Sequence, residues 1–187
     1  LNLNKPYAEI QKMYSENLHR NLKKIPDTFF SIRHEDKIEN LIQIFRDNNE
    51  TKIGTLPRDF YAVLRNIAEA AGRQSCGELW HIYSSGKLQA GILFVTGCGR
   101  AVFLFSATTI SGKNHHAMPY LIDFFIRTHA GSQLILDFEG SDNTGLARFY
   151  RSFGASERNY QKIEISRLPD FIIKFIKSVL KIKNKLL

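Results

Sequence analysis

The chain contains no run of eighteen or more apolar residues, so nothing in it reads as a membrane-spanning helix. Its two cysteines, Cys76 and Cys98, lie far apart, and neither has metal-ligand spacing around it. That excludes a disulfide framework and a zinc pattern, and points to two unpaired thiols in a reducing, cytoplasmic compartment. His115 and His116 are adjacent rather than four apart, which is poor spacing for a metal, and no metal is expected. There is no RNP, helix-turn-helix or zinc-finger signature, no internal repeat and no low-complexity segment. The opening LNLNKPYAE has neither the basic nor the apolar region of a signal peptide and has no Met. A longer protein, beginning upstream, is the expectation.

What is present is an ordinary globular composition, 43% hydrophobic and 24% charged, over 187 residues. That length suits one domain with a full core, and 14 phenylalanines make the core bulky. The net charge of +8 is uneven: residues 168–187 hold five lysines against Asp170, half of the total. Such a surface favours polyanions, tRNA or cofactor phosphates or anionic lipid, or else only keeps the protein in solution; both readings stand.

Periodicity predicts helices at 6–24, 36–48 and 57–71, with Pro6 and Pro57 in first turns and Gly72 closing the third. Residues 28–33 (TFFSIR) read as a short strand. Three strands follow at 76–84, 87–96 and 100–108, joined by the hairpin signals Ser85-Gly86 and Gly97-Cys98-Gly99. Then come a helix at 118–130, a strand at 132–138, a helix at 142–153, a strand near 158–166 and a terminal helix from Pro169. Three antiparallel strands followed by alternating helices and strands make an α/β domain: a mixed, mostly antiparallel central sheet with helices on both faces and extra helices at each end. The expected organisation is an N-terminal helix and linker at 1–27, a central domain at 28–166 and a basic amphipathic helix at 167–187.

Residues 137–155, DFEGSDNTGLARFYRSFGA, join a strand to a helix and place Asn143, Tyr150 and Gly154 at offsets zero, seven and eleven. This register, with the element order, resembles the GNAT acyltransferase superfamily over roughly 28–166. Three phrases, YSENLHRNLKKI (14–25), DFEGS (137–141) and FYRSFGA (149–155), are similar to the second half of FemAB-like proteins. Those proteins usually carry two GNAT-like halves, so the resemblance implies an upstream half as partner. It also implies transfer of an acyl or aminoacyl group to an amine or hydroxyl on a small-molecule or cell-envelope acceptor.

One departure bears on the donor. GNAT enzymes that use acetyl-CoA carry Q/R-x-x-G-x-G/A after the fourth strand, whose backbone N–H groups cradle the pyrophosphate. Residues 106–119 here read SATTISGKNHHAMP, with the single glycine Gly112. Gly112, Lys113 and Asn114 remain candidates for a phosphate, and Ser106 and Thr108, on one face of the fourth strand, for contact with the donor. Acyl-CoA, acetyl-CoA first, is one donor; FemAB-like proteins lack the loop and take their group from aminoacyl-tRNA, which is the other.

The resemblance makes Tyr150 the proton donor to the departing thiolate, its phenol lowered slightly by the helix; a core tyrosine is the alternative. Glu139 leads as acceptor of the attacking amine's proton, with Asp137 on the opposite side by strand alternation. Either carboxylate is equally suited to capping the next helix or pairing with Arg148 or Arg151. Asn143 is placed to cap the helix and, by resemblance, to touch the donor. Gly145 within the helix signals a close approach by a neighbouring strand or a cofactor. His115 and His116 read as an exposed loop pair or a base, and His81 as structural.

Three functions compete: an acyltransferase; a GNAT-like domain that has lost activity and serves as a binding or assembly module; and a nucleic-acid binder resting on charge alone. The terminal helix repeats apolar residues at four-three spacing with lysines opposite, which fits docking on the sheet, a partner helix or a membrane interface.

Overall fold

The computed structural model describes residues 1–26, 28–48, 56–139 and 143–158. The expected strand at 158–166 and the terminal helix lie outside the described residues. Leu1–Glu157 form one compact unit.

The long helix expected at 6–24 is two helices, α1 (Tyr7–Gln11) and α2 (Glu16–Lys23). The break has a local cause. The Ser15 hydroxyl accepts from the Leu18 N–H at 3.3 Å and so caps α2. The Ser15 N–H, which a continuous helix would use internally, goes to the Ser152 carbonyl at 2.8 Å. Capping and a tertiary bond together outweigh the apolar periodicity that runs through the break.

The remaining order is β1 (Ser31–His34), α3 (Glu39–Asn48), α4 (Phe60–Arg73), β2 (Gly77–Ser84), β3 (Lys87–Gly97) and β4 (Arg100–Thr108). These are followed by α5 (Ile110–Asn114), α6 (Ala117–His129), β5 (Ile135–Asp137) and α7 (Thr144–Arg151). The short α5 was not anticipated; Thr109 caps it through Gly112 N–H at 2.9 Å, a Thr-x-x-Gly signal obscured by the glycine. The sheet runs β1-β2-β3-β4-β5, antiparallel except for the parallel pair β4–β5, so the mixed, mostly antiparallel expectation holds. Both hairpin loops have positive φ at both central residues, Ser85-Gly86 and Cys98-Gly99, the twist that two-residue hairpins require.

Each face of the sheet carries its own core. On one side Ile82, Ile92, Phe94 and Phe103 pack with α1, α2 and α6, where Phe94 and Phe125 stack at 3.8 Å between centroids. On the other, Leu79, Leu93, Phe105 and Ala107 pack against Leu41, Phe45 and Leu64 of α3 and α4. Burial of each such aromatic or aliphatic side chain contributes about 1.5–3 kcal/mol.

A bulge interrupts β4. Phe94 pairs with Phe103 and Leu93 with Phe105, so Leu104 is the extra residue. The strand changes face there: Phe103 belongs to one core and Phe105 to the other. β5 pairs with β4 only at Arg100, Ala101 and Val102. β5 ends at Asp137, so the β4–β5 ladder stops at Val102 while β4 runs on to Thr108. The outer edge of β5 is closed by residues 1–3, whose Leu3 N–H reaches the Leu134 carbonyl at 2.9 Å and whose Leu1 carbonyl accepts from Leu136 N–H at 2.8 Å.

Candidate functional site

α7 packs where the β4–β5 ladder ends, with Tyr150 against Phe138 and Phe103. Asn143 caps that helix, its Oδ1 accepting from the Gly145 and Leu146 N–H groups at 2.9 and 3.2 Å. The cap also explains Gly145. A Cβ there would lie 3.1 Å from the Asn143 Oδ1, so the close neighbour is the capping side chain itself rather than a strand or a cofactor. At the other end Gly154 takes φ +76, and a Cβ on it would stand 2.5 Å from the Met13 Cβ. The helix is thereby pinned against the break between α1 and α2.

This docking places Tyr150 beside the end of the β4–β5 ladder. Its ring stacks on Phe138, 4.7 Å between centroids and 16° between planes, with its edge toward Phe103 at 6.0 Å. Among the described residues its hydroxyl has no hydrogen-bond partner. Burial, and secondly the Glu139 carboxylate, push the phenol up from its usual value. The slight lowering expected from the helix is therefore corrected: a half-buried phenolate is desolvated, and Tyr150 sits in the last turn of α7, at the negative end of the helix dipole.

Asp137 and Glu139 do not alternate as strand neighbours. The strand ends at Asp137, and Glu139 takes the left-handed conformation at φ +60, so strand alternation does not reach it. The Glu139 N–H donates to Asp137 Oδ1 at 2.9 Å, and Asp137 Oδ2 pairs with Arg100 at 3.2 Å. Asp137 is thus a fastening of the β4–β5 junction, and its partner is neither arginine of α7. Glu139 is exposed, yet partial desolvation of its carboxyl, followed by the nearby Asp137 charge, raises its pKa.

By alternation past the bulge, Ser106 and Thr108 share the face of the sheet that carries Phe103 and Tyr150. Ser106 is half-buried opposite Ile92, and Thr108 is buried opposite Ala90 against α5. Gly112 is buried as well. A Cβ there would overlap the Gln89 carbonyl and stand 3.0 Å from Thr108 Cγ2. Its N–H is already taken by Thr109, so the glycine is accounted for by packing and does not fit an open phosphate cradle. Lys113 and Asn114 project from the exposed side of the same turn. His115 packs on Phe29, tilted, at 5.2 Å between centroids, and His116 at φ +56 opens α6.

Two polar clusters were not singled out from the sequence. Asp123, buried in α6, accepts from the Tyr7 hydroxyl at 2.8 and 3.1 Å and from the Tyr14 hydroxyl at 2.9 Å. An acid inside the apolar run LIDFFI was the available signal. On the opposite face His81 is fully buried; Tyr83 donates to Glu35 at 3.0 Å and lies 3.5 Å from His81 Nδ1. Desolvation holds His81 low despite Glu35, so it is neutral, as a structural histidine should be. Among the described residues no cluster of His, Cys, Asp and Glu could hold a metal, and no helix is long and apolar enough to cross a membrane. Cys76 and Cys98 are both free.

No protein-family model matches the chain, and no curated protein matches it. Solved structures do. The chain is similar to FemX at 14% identity and a TM-score of 0.63, over 82% of this chain and 57% of that one. It therefore spans little more than half the length of FemX. It is also similar to a possible acetyltransferase from Clostridium difficile 630, at 15% identity and a TM-score of 0.53, over 75% of this chain and 99% of that one. With a five-stranded, mostly antiparallel sheet, helices on both faces and these neighbours, the chain has the GNAT-type fold, in a form shared with FemX.

Proposed function

We propose that this chain is an acyltransferase domain that moves an acyl or aminoacyl group onto an amine or hydroxyl acceptor, with the reacting carbonyl held where the β4–β5 ladder ends. The observation that carries the reading is Tyr150: a phenol without a protein hydrogen-bond partner among the described residues, stacked on Phe138 where the β4–β5 ladder ends. Open α/β sheets bind ligands in crevices at strand ends.

The acceptor's lone pair attacks the carbonyl carbon, and the C=O electrons move to oxygen. Backbone N–H groups of β4 beyond Val102, no longer laddered to β5, stabilise that oxyanion. Collapse re-forms the carbonyl and breaks the bond to the leaving heteroatom, which takes its proton from the Tyr150 hydroxyl. The proton shed by the acceptor passes to Glu139, whose raised pKa makes it a stronger base than an ordinary carboxylate. The charge interaction between Glu139 and Tyr150 couples the two steps. Ser106 and Thr108 would line the donor's path on the same face, and Asn143 would orient its near end.

Two features weigh toward an oxygen-ester donor such as aminoacyl-tRNA. Raising the phenol moves it away from a thiol near 8.5 and toward an alcohol leaving group. The filled turn at Gly112 also lacks the cradle a CoA pyrophosphate needs, leaving Lys113 and Asn114 as surface contacts for phosphate. The upstream half and a cell-envelope acceptor belong to this reading, supported by the span within FemX. The same filled turn favours a second reading, a binding or assembly module without activity.

The experiment is a donor panel. The chain is given acetyl-CoA and short acyl-CoAs, with thermal shift and thiol release as readouts, and separately a labelled aminoacyl-tRNA pool with primary amines. Transfer from the ester alone is expected. Transfer from CoA thioesters alone would overturn the donor assignment, and no transfer from either class would leave the binding module.

A further inference from the structure

A cavity of about 330 Å³, whose lining does not include Tyr150, lies between the N-terminal helices and α6. We infer that it is a second binding site, for a small molecule bearing a phosphate group. Three basic side chains converge on it from two elements: His19 and Lys23 of α2 and Arg127 of α6. Among the described residues neither Lys23 nor Arg127 has an ion-pair partner.

The single acid in the wall, Asp123, does not cancel them. Its two oxygens are committed to the Tyr7 and Tyr14 hydroxyls, and it lies buried at the floor rather than at the rim. Its acidity is also weakened by burial, which outweighs those hydrogen bonds. The site is thus net cationic, two fixed positive charges against one carboxyl whose oxygens are occupied by tyrosine hydroxyls. A phosphate, with three acceptor oxygens and up to two charges, matches donors arriving from two sides, and Arg reads it in bidentate fashion. The volume is at the small end for ligand sites and exceeds what a bare ion fills. Tyr120, Leu22 and Ile25 supply an apolar wall for a ring or short chain attached to the phosphate. Gln11, which donates to the Tyr7 hydroxyl at 3.1 Å, holds that ring in place beside the opening.

The test uses the whole chain, with inorganic phosphate and phenyl phosphate as probes, against sodium chloride at equal ionic strength, read by calorimetry and thermal shift. Saturable binding of phosphate is expected, weakened about tenfold by Lys23→Ala or Arg127→Ala and abolished in the double variant. Tighter binding of phenyl phosphate assigns the site to a phosphate ester; equal binding assigns it to the free anion. Both exposed residues can be changed without touching the core, and circular dichroism confirms the fold. Lys87→Ala, an exposed residue at the start of β3 and outside the cavity lining, leaves the binding unchanged. No saturable binding, the same shift in chloride, undiminished binding in the double variant, or loss on Lys87→Ala would each overturn the assignment.

Discussion

Replacing Gly112 by Ala separates a packing glycine from one kept open for a ligand. The added Cβ would overlap the Gln89 carbonyl oxygen, with the carbonyl carbon at 2.9 Å and Thr108 Cγ2 at 3.0 Å. Gln89 is held in β3, and its carbonyl already accepts from Thr109 N–H at 2.9 Å, so the strand cannot retreat. The turn α5 must lift instead. Overpacking of this kind costs about 1–3 kcal/mol, and the better helix propensity of Ala returns up to about 1 kcal/mol. With the full return, the expected net loss is about 0–2 kcal/mol, and the midpoint of that balance is about 1 kcal/mol. Urea denaturation reads it directly, as a lower midpoint at constant slope. Gly72→Ala is the internal control: nothing lies within 4 Å of its added Cβ, so the same substitution should be neutral or stabilising by up to about 1 kcal/mol. Equal or higher stability for Gly112→Ala would refute the close approach and make Gly112 a candidate phosphate donor again.

Asp123 gives a pH signature. Burial raises its carboxyl above the unfolded value, so the folded state holds the proton more tightly. Its contribution to stability is fully present below the unfolded value near 3.8 and is lost as pH rises through the higher folded value. Asp123→Asn, whose amide oxygen can still accept from both tyrosines, should flatten that part of the stability-pH curve; an unchanged curve would contradict it. Asn143→Ala should cost about 0.5–2 kcal/mol through loss of the cap on α7, read in urea. Gly154→Ala should cost more than that cap, since a positive φ alone is worth about 1–2 kcal/mol and Met13 blocks the space; thermal denaturation compares the two.

The strands and hairpins were legible because their signals are local. Ser85-Gly86 and Cys98-Gly99 are adjacent pairs that tolerate positive φ, and alternation carries β2 and β3 between them. Asn143 as a cap was legible for the same reason. What the sequence hid depends on contacts distant along the chain. The break at Ser15 needs the Ser152 carbonyl, and the role of Gly112 needs Gln89. The Tyr7–Tyr14–Asp123 cluster joins residues more than a hundred positions apart. The direction of the Tyr150 shift depends on burial, which a helix register alone does not convey. Alternation failed at Glu139 because the strand stops two residues before it, at Asp137.

The central claim is that Tyr150 delivers a proton to the leaving group, and a pH profile of Tyr150→Phe against the unaltered chain tests it most directly. With the donor that proves active, the rate of the unaltered chain should not fall in the neutral range on account of this phenol, because its raised pKa keeps it protonated there. Tyr150→Phe retains the ring stacked on Phe138 and should lower turnover by roughly 10²–10⁴ with little change in donor KM. Undiminished turnover in Tyr150→Phe would contradict the account.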